Sequence, residues 1–318
     1  MTKTLITGAS GFLGSTIIND FALYFGDIVA CSRSFQPITN PRSKSYAVDV
    51  CSADFVDIVQ ENSPTAIIHT AARSIVRDCE QNPAQAFMSN VQGTVNVLEA
   101  ARKTGLDIPV VVLETDKVYG QQPPENIPTS EQHPLLGFSP YEYSKVLTAN
   151  VCEFYRNYYG MRVYSMRPAN IYGYWDTNKS RIVPGTFTKL MCNQSPVVFT
   201  DSKDQLREYV YVNDVVEMIH RLMYVNAPPG AYNVSSGIVK SPEQVIKSII
   251  DVTGIEILLT TIEKPFEFQE IQSQALNGEK LLDAVGGFTC TPMEDALEYM
   301  WEDILEKGYG ACVSHMIV

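Results

Sequence analysis

Apolar positions in the first half of the chain fall into short runs separated by longer stretches of helical period. The runs are Lys3–Thr7, Ile28–Cys31, Ala47–Val50, Ala66–Ala72, Val110–Leu113 and Val163–Pro168. Runs of this length, apolar on both faces, suit the strands of a buried parallel sheet. Between them, the segments from Phe12 to about Tyr24 and from Pro83 to Thr104 repeat apolar residues at helical spacing. In the second, Phe87, Val91, Thr94, Val95 and Leu98 form one stripe. Strand and helix in alternation predict an α/β fold with a doubly wound parallel sheet.

Beyond Pro168 the alternation breaks. Residues from Ala169 to Gly173 lead out of the sheet, and Arg181 to Pro184 open a helix that runs through Met191. Pro196–Phe199 and Gln205–Val212 are the next strands, with Asn213 and Asp214 as caps of a helix packed back on the main body. Ala231–Val234 is another strand. Ser241 caps a helix to Thr253 with Pro242 in its first turn, and a last helix covers Thr291 to Lys307. The expected division is residues 1–168 plus about 210–234 in one sheet domain. Residues 169–209 and 235–318 then form a smaller C-terminal α/β lobe.

The first strand ends in Gly8, Gly11 and Gly14, spaced GxxGxxG, with Phe12 and Leu13 opening the helix that follows. Strand, glycine-rich turn and helix in that order are the setting of a Rossmann-type dinucleotide site. The glycines let backbone approach a pyrophosphate, and the helix N-terminus faces its charge. NAD is the expected cofactor. After the second strand, Ser32-Arg33-Ser34 has no acid to hold a ribose 2′-hydroxyl, and Arg33 suits either a 2′-phosphate or a solvated loop, so NADP stays open. Asp49, beside Val50, suits an adenine amino group or the cap of the next helix. Ala71 and Ala72 are small where backbone must pass close to a cofactor. Asn90 sits beside the apolar stripe, where an amide can bridge strands or touch the cofactor. His69, inside an apolar run, is a core histidine.

Charge and thiols narrow the class. Lys plus Arg number 24 against 36 Asp plus Glu, a net charge of −12, which lacks the basic footprint of a nucleic-acid binder. The seven cysteines are scattered without CxxC spacing and four histidines form no cluster, so no metal site is expected. No signal segment and no membrane-spanning run are expected, and a cytoplasmic location follows.

The candidate chemistry lies between Val110 and Lys145. A buried strand delivers Thr115, Asp116 and Lys117 at its carboxyl end; after a proline-rich loop, Tyr141 and Lys145 stand at i and i+4 on one helix face. A lysine one turn from a tyrosine favours phenolate and draws the phenol, ordinarily near ~10, toward neutrality, which suits proton transfer.

With these residues the chain resembles the extended short-chain dehydrogenase/reductase family, the NAD-dependent epimerase/dehydratases of nucleotide sugars. The resemblance spans essentially the whole length through TGASGFLG, IIHTAA, FMSNVQGTVNVLEAAR, ETDKVYG, SPYEYSK, RPANIYG, RIVPG, REYVYVNDV and YNVSSG. The Thr-Asp-Lys triplet is similar to that of CDP-glucose 4,6-dehydratases and some UDP-sugar dehydratases, whereas REYVYVNDV follows the broader epimerase pattern. The resemblance implies a nucleotide-diphosphate sugar as substrate, CDP-glucose favoured, and a homodimer built on the helices after Pro83 and Ser139. It implies that Tyr141 takes the 4-hydroxyl proton as hydride leaves C4, that Lys145 supports Tyr141 and the nicotinamide ribose, and that Thr115 orients O4. Asp116 then protonates the departing 6-hydroxyl, and Lys117 takes the place of the C5 base; a plain loop salt bridge is their other reading. Arg207 is the expected diphosphate clamp, with a surface pair to Glu208 as the alternative and Arg181 as a second candidate. Asn170 and Tyr172 line the sugar side or pack. An epimerase or 4-ketoreductase using the same tyrosine is the competing activity, and a non-catalytic dinucleotide sensor the remote one.

Overall fold

The computed structural model describes residues 2–34, 38, 42–105, 107–200, 202, 205–263 and 271–306. Its strands are β1 Lys3–Thr7, β2 Asp27–Ser32, β3 Lys44–Ala47, β4 Ala66–His69, β5 Val110–Leu113, β6 Val163–Pro168, β7 Asn170–Tyr172, β8 Val197–Phe199, β9 Leu206–Tyr211, β10 Gly230–Val234, β11 Val239–Lys240, β12 Thr260–Ile262 and β13 Ser273–Gln274. The helices are α1 Phe12–Asp20, α2 Ala22–Phe25, α3 Asp54–Asn62, α4 Val76–Gln81, α5 Pro83–Phe87, α6 Gly93–Lys103, α7 Pro140–Tyr159, α8 Ile182–Met191, α9 Val212–Tyr224, α10 Pro242–Thr253, α11 Glu279–Ala284 and α12 Met293–Glu306.

Seven strands form one sheet in the order β10-β6-β5-β4-β1-β2-β3, every neighbouring pair parallel. The chain winds outward from β1 to β3, then crosses back to place β4 on the other side of β1. That reversal opens a crevice at the carboxyl ends of β1 and β4, where ligands of doubly wound sheets bind. Residues that alternate along each strand enter opposite layers. Ile6, Ile28, Ile68, Val111 and Tyr164 join the core under α1, α9 and α10. Leu5, Val29, Ile67, Val110 and Val163 join the one under α3, α6 and α7. This two-sided burial is why the strands read as continuous apolar runs.

The remaining strands gather around β9. β7 and β13 pair with it in parallel and β11 antiparallel, while β8 and β12 form a separate parallel pair. Among the described residues no helix is long and apolar enough to cross a membrane, and no three His, Cys, Asp or Glu side chains group as metal ligands.

Several boundaries differ from the sequence pattern. The first helix breaks at Phe21, whose backbone leaves the helical region (φ −124°, ψ 13°); α2 then buries Phe25, whose carbonyl accepts from Thr4. The third strand ends at Ala47 instead of Val50. Asp49 folds the next residues into a turn, its Oδ1 accepting from Cys51 N at 2.8 Å and its carbonyl from Ser52 N. It caps no helix, since α3 has Ala53 at its N-cap with no side-chain bond. The fourth strand stops at His69, after which residues 70–75 form a loop. The helix from Pro83 is interrupted by a π-helical turn over Met88–Gln92. Asn213 and Asp214 do not cap α9, whose N-cap is Tyr211. The Asp214 carboxylate instead accepts from the backbone and hydroxyl of Thr291, both at 2.8 Å, and so anchors the approach to α12.

Candidate active site

A cleft of about 910 Å³ opens over the carboxyl ends of β1, β4, β5 and β6. Its walls bring together Gly11, Phe12, Leu13, Ala72, Thr115, Asp116, Lys117, Tyr141, Lys145, Asn170, Tyr172 and Arg181. These residues come from segments far apart in sequence, and all were singled out by pattern or resemblance. Gly8, Gly14, Arg33, Asp49, Val50, Ala71, Asn90 and Arg207 do not line it.

The glycines divide the work at the β1 end. Gly8 has φ +68°, and a Cβ there would come within 2.6 Å of Ala71 N, so the turn and the β4 loop touch through bare backbone. A Cβ on Gly14 would sit 2.4 Å from the Gly8 carbonyl, so α1 packs directly on the turn. Gly11 is the least crowded of the three, its nearest contact 3.1 Å away, and it faces the cleft. Gly11 is also the N-cap of α1 and provides no side-chain cap bond, which leaves first-turn amides directed at the cleft. A backbone cradle of this kind at a helix N-terminus fits a pyrophosphate.

Around it, Val50 packs against Gly93 of α6 and takes a hydrogen bond from Asn96 on its carbonyl at 3.0 Å. Arg33 is exposed just past β2, and Asp49 is exposed in its turn. His69 is buried between Thr7 (2.7 Å) and Thr94 (3.1 Å), and burial pushes its imidazole down to about 3, so it is a neutral core residue.

Asn90 braces the site from behind. Its Oδ1 accepts from Arg73 N at 2.7 Å, and its Nδ2 donates to the Arg73 carbonyl at 3.1 Å and to Ser144 Oγ at 2.8 Å. The amide thus ties the β4 loop to α7 from within the π-turn; π-turns are frequent at functional sites.

The chemistry-bearing triplet follows β5 in a short 3₁₀ turn that Thr115 caps through its own side chain. Asp116 is 1% exposed. Its Oδ1 accepts from Thr115 at 3.0 Å and lies 3.4 Å from Lys117 Nζ, while its Oδ2 has no hydrogen-bond partner among the described residues. Lys117 Nζ also donates to Asn170 Oδ1 at 2.9 Å, and Asn170 donates to the Glu208 carbonyl at 2.9 Å. Gln274 donates to the Asp116 carbonyl at 3.0 Å. The triplet is therefore fastened to β7, β9 and β13.

Ser139 and Glu142 form a capping box that starts α7, with Pro140 in its first turn. One turn on, Tyr141 and Lys145 are both buried and face the triplet. Lys145 Nζ donates to the Leu113 carbonyl at 2.7 Å. Burial draws this ammonium down to about 8, against the opposing charge of Glu114. Tyr141 departs from expectation: burial pushes its phenol up to about 12, outweighing Arg181 and a hydrogen bond with Thr115. Lys145 spends its bond on a carbonyl, and the cation that acts on Tyr141 is Arg181. Arg181 itself is held by Asp176 at 3.1 Å.

Arg207 makes no surface pair with Glu208. Its guanidinium donates to the Leu206 carbonyl at 2.9 Å, to Gln205 at 3.3 Å and to the Ile271 carbonyl. Glu208 is fully buried and accepts from Ser235 Oγ and from the amides of Ser236, Gly237 and Leu276 at 2.6–2.9 Å. It organises the loop after β10.

Sequence reasoning missed Glu114, a buried acid on the cleft wall paired with Arg167 at 2.8 Å. The available signal was a carboxylate set flush against the apolar run Val110–Leu113, where an unpaired charge would be costly.

The profile of the NAD dependent epimerase/dehydratase family matches residues 4–235. A UDP-glucose 4-epimerase of Mycolicibacterium smegmatis is 32% identical over 79% of this chain and 83% of its own. A Methanocaldococcus jannaschii protein with a provisional UDP-glucose 4-epimerase name is 30% identical over 80% of this chain and 82% of its own. A dTDP-glucose 4,6-dehydratase of Salmonella typhimurium is 28% identical over 79% of this chain and 76% of its own. Among solved structures, the dTDP-glucose 4,6-dehydratase DesIV of Streptomyces venezuelae, with NAD and TYD bound, superposes with a TM-score of 0.84. It shares 22% identity, covering 97% of this chain and 98% of that one.

Proposed function

The chain belongs to the NAD-dependent epimerase/dehydratase family, and on that footing we propose that it dehydrates a nucleotide-diphosphate hexose to the 4-keto-6-deoxy sugar, with CDP-glucose the first substrate to test. One observation carries the choice of dehydration. Beside Tyr141, the cleft holds a buried carboxyl, one oxygen of which has no hydrogen-bond partner among the described residues, and that carboxyl is in contact with an amine. Epimerisation at C4 needs hydride removal and return and has no use for such a pair. Loss of water across C5 and C6 needs both an acid and a base.

Bound NAD would supply the acceptor for the C4 hydride and its return to C6. Gly11 and the first turn of α1 would hold its pyrophosphate, and Lys145 would meet the nicotinamide ribose. Tyr141 would take the O4 proton as the hydride leaves, with Thr115 orienting O4. The resulting ketone acidifies the C5 proton. In this reading Lys117 Nζ stands in the place of the C5 base, and Asp116, 3.4 Å from it, in the place of the acid that protonates the departing 6-hydroxyl. Arg181 and Asn170 line the sugar end; Arg207, on β9, remains a diphosphate candidate only if its present bonds are exchanged.

The test is incubation with CDP-glucose and with UDP-glucose in the presence of NAD. The expected product shows the alkaline absorbance of a 4-keto-6-deoxy sugar. A C4 epimer without that chromophore assigns the second reading, UDP-sugar 4-epimerase, which the two relatives at 30% and 32% identity favour.

A homodimer is part of the proposal. Tyr143, Leu147, Val151, Phe154 and Tyr158 recur at helical spacing along α7; Leu147 and Val151 are half-buried, while Tyr143, Phe154 (50%) and Tyr158 (74%) are exposed. Sedimentation of a monomer at micromolar concentration would contradict it. A cytoplasmic location accords with a reaction on nucleotide sugars.

A further inference from the structure

We propose that Gln274, on β13, is a positioning residue for the loss of water. It fixes the peptide unit that joins Asp116 to Lys117, and with it how the two side chains face each other. The proposal rests on the reading of that pair as acid and base given above, and deepens it. Gln274 is 5% exposed and does not line the cleft. Its Nε2 donates to the Asp116 carbonyl at 3.0 Å.

A peptide unit is planar, so bonds made from its two opposite edges set the whole of it. Here the oxygen is held by Gln274, and the N–H of the same unit, that of Lys117, donates to Thr115 Oγ1 at 3.4 Å. Turning that plane changes ψ of Asp116 and φ of Lys117 together, and these angles aim both side chains. The 3.4 Å contact between Asp116 Oδ1 and Lys117 Nζ depends on that aim. Lys117 Nζ is also held by Asn170, and Asp116 Oδ1 by Thr115, but those bonds act at the side-chain ends. Gln274 acts on the backbone between them, from the strands gathered around β9.

The donor is itself held on both sides. Gln274 pairs with Arg207 of β9 in parallel register, the Leu206 N–H donates to the Gln272 carbonyl at 3.0 Å, and the Thr129 N–H donates to the Ala275 carbonyl at 2.9 Å. The Leu276 N–H donates to Glu208 at 2.7 Å. Only the NH₂ end of an amide can meet a carbonyl, so Oε1 is turned away from Asp116. It is buried, with no hydrogen-bond partner among the described residues. An oxygen in that state costs stability, which an apolar side chain of the same length would avoid. What the amide brings to this position is its bond to Asp116.

The test is Gln274→Met, which fills the same space without a donor. In protein free of ligand, NMR should show the Lys117 and Val118 amides exchanging with deuterated solvent about tenfold faster or more, while those of Val112 and Leu113 in β5 keep their rates. Unchanged exchange at Lys117 and Val118 overturns the proposal. With NAD and nucleotide sugar, single-turnover hydride transfer from C4 and its dependence on sugar concentration should match wild type. Formation of the 4-keto-6-deoxy product should slow by roughly 10–10²-fold. A loss shared equally by both steps makes Gln274 structural only and overturns the positioning role, as does no loss at all. Should the methionine variant not fold, Gln274→Asn, whose amide falls one methylene short of the carbonyl, should show the same split in smaller measure; no split overturns it equally. Wild-type protein that turns over no nucleotide sugar defeats the proposed function, and exchange at Lys117 then decides this relation alone.

Discussion

Lys145 donates from Nζ to the carbonyl oxygen of Leu113 at 2.7 Å. This bond joins the middle of the cleft wall to the end of β5, one residue before Glu114 and two before Thr115. Tyr141 lies one helical turn earlier, so the same bond sets the phenol against Thr115. With burial holding Tyr141 up near 12, the side chain stays a neutral phenol in the protein alone, with almost no phenolate to accept a proton. Its activation falls to positive charge that reaches it, from Arg181 and from the nicotinamide end of bound cofactor.

Tyr141→Phe should abolish hydride transfer, and Lys145→Met should slow it by roughly 10²–10⁴, the usual contribution of a positioned proton-transfer group. Methionine fills much of the same space but neither bonds Leu113 nor carries charge. The measurement is the rise in reduced-nicotinamide absorbance on mixing enzyme, NAD and nucleotide sugar in a single turnover. Full activity in Tyr141→Phe would contradict every catalytic reading of the cleft.

Asp116 and Lys117 should separate from Tyr141 kinetically. Lys117→Ala is expected to lose exchange of the C5 proton with deuterated solvent while hydride transfer from C4 stays measurable. Asp116→Asn should keep C5 exchange and stall at loss of water, because an amide cannot protonate the leaving hydroxyl. Exchange that persists in Lys117→Ala would show that the base lies elsewhere, with Asp116 the next group to test.

The three glycines should fail in different ways. Gly14→Ala forces a Cβ to within 2.4 Å of the Gly8 carbonyl and should cost about 1–3 kcal/mol of stability by overpacking. Gly8→Ala adds a left-handed backbone strain to a 2.6 Å clash and should be worse. Gly11→Ala meets its nearest atom at 3.1 Å, so the fold should survive while NAD binding weakens by about tenfold or more. Urea melts beside cofactor titrations separate the two losses; Gly11→Ala with unweakened NAD affinity would move the pyrophosphate away from this turn.

Which of these features the sequence revealed follows from what local pattern can carry. The strands were legible because burial on both sheet faces makes each an uninterrupted apolar run, and the glycine turn because its spacing reflects backbone contact. Tyr141 and Lys145 were legible because helical spacing fixes which residues share a face. Tertiary geometry overrode pattern elsewhere. Asp49 bends its own backbone out of β3, Asp214 reaches Thr291 instead of capping α9, and Asn90 uses its amide to tie a loop to α7. The direction of the Tyr141 shift was misjudged for the same reason, since spacing places a lysine nearby but does not show that a carbonyl takes its bond. Arg207 turns to carbonyls around it, which no motif conveys.

His69 gives a prediction that depends on no substrate. Its imidazole is held near 3 in the fold by burial, against an ordinary value of 6.5. Between those values the unfolded chain binds a proton that the native chain refuses, so stability is lost as pH falls from 6.5 toward 3. The loss is about 1.4 kcal/mol for each pH unit well inside that window. Carboxylates contribute their own slopes there, so the comparison must isolate this residue. His69→Gln keeps one donor and one acceptor for Thr7 and Thr94 but has nothing to titrate. Urea unfolding at pH 7, 6 and 5 should show stability falling less steeply in the variant, by nearly one proton over the lower interval, even if the variant starts out less stable. Equal slopes would mean that His69 charges within the fold, and that its two threonine partners accommodate an imidazolium.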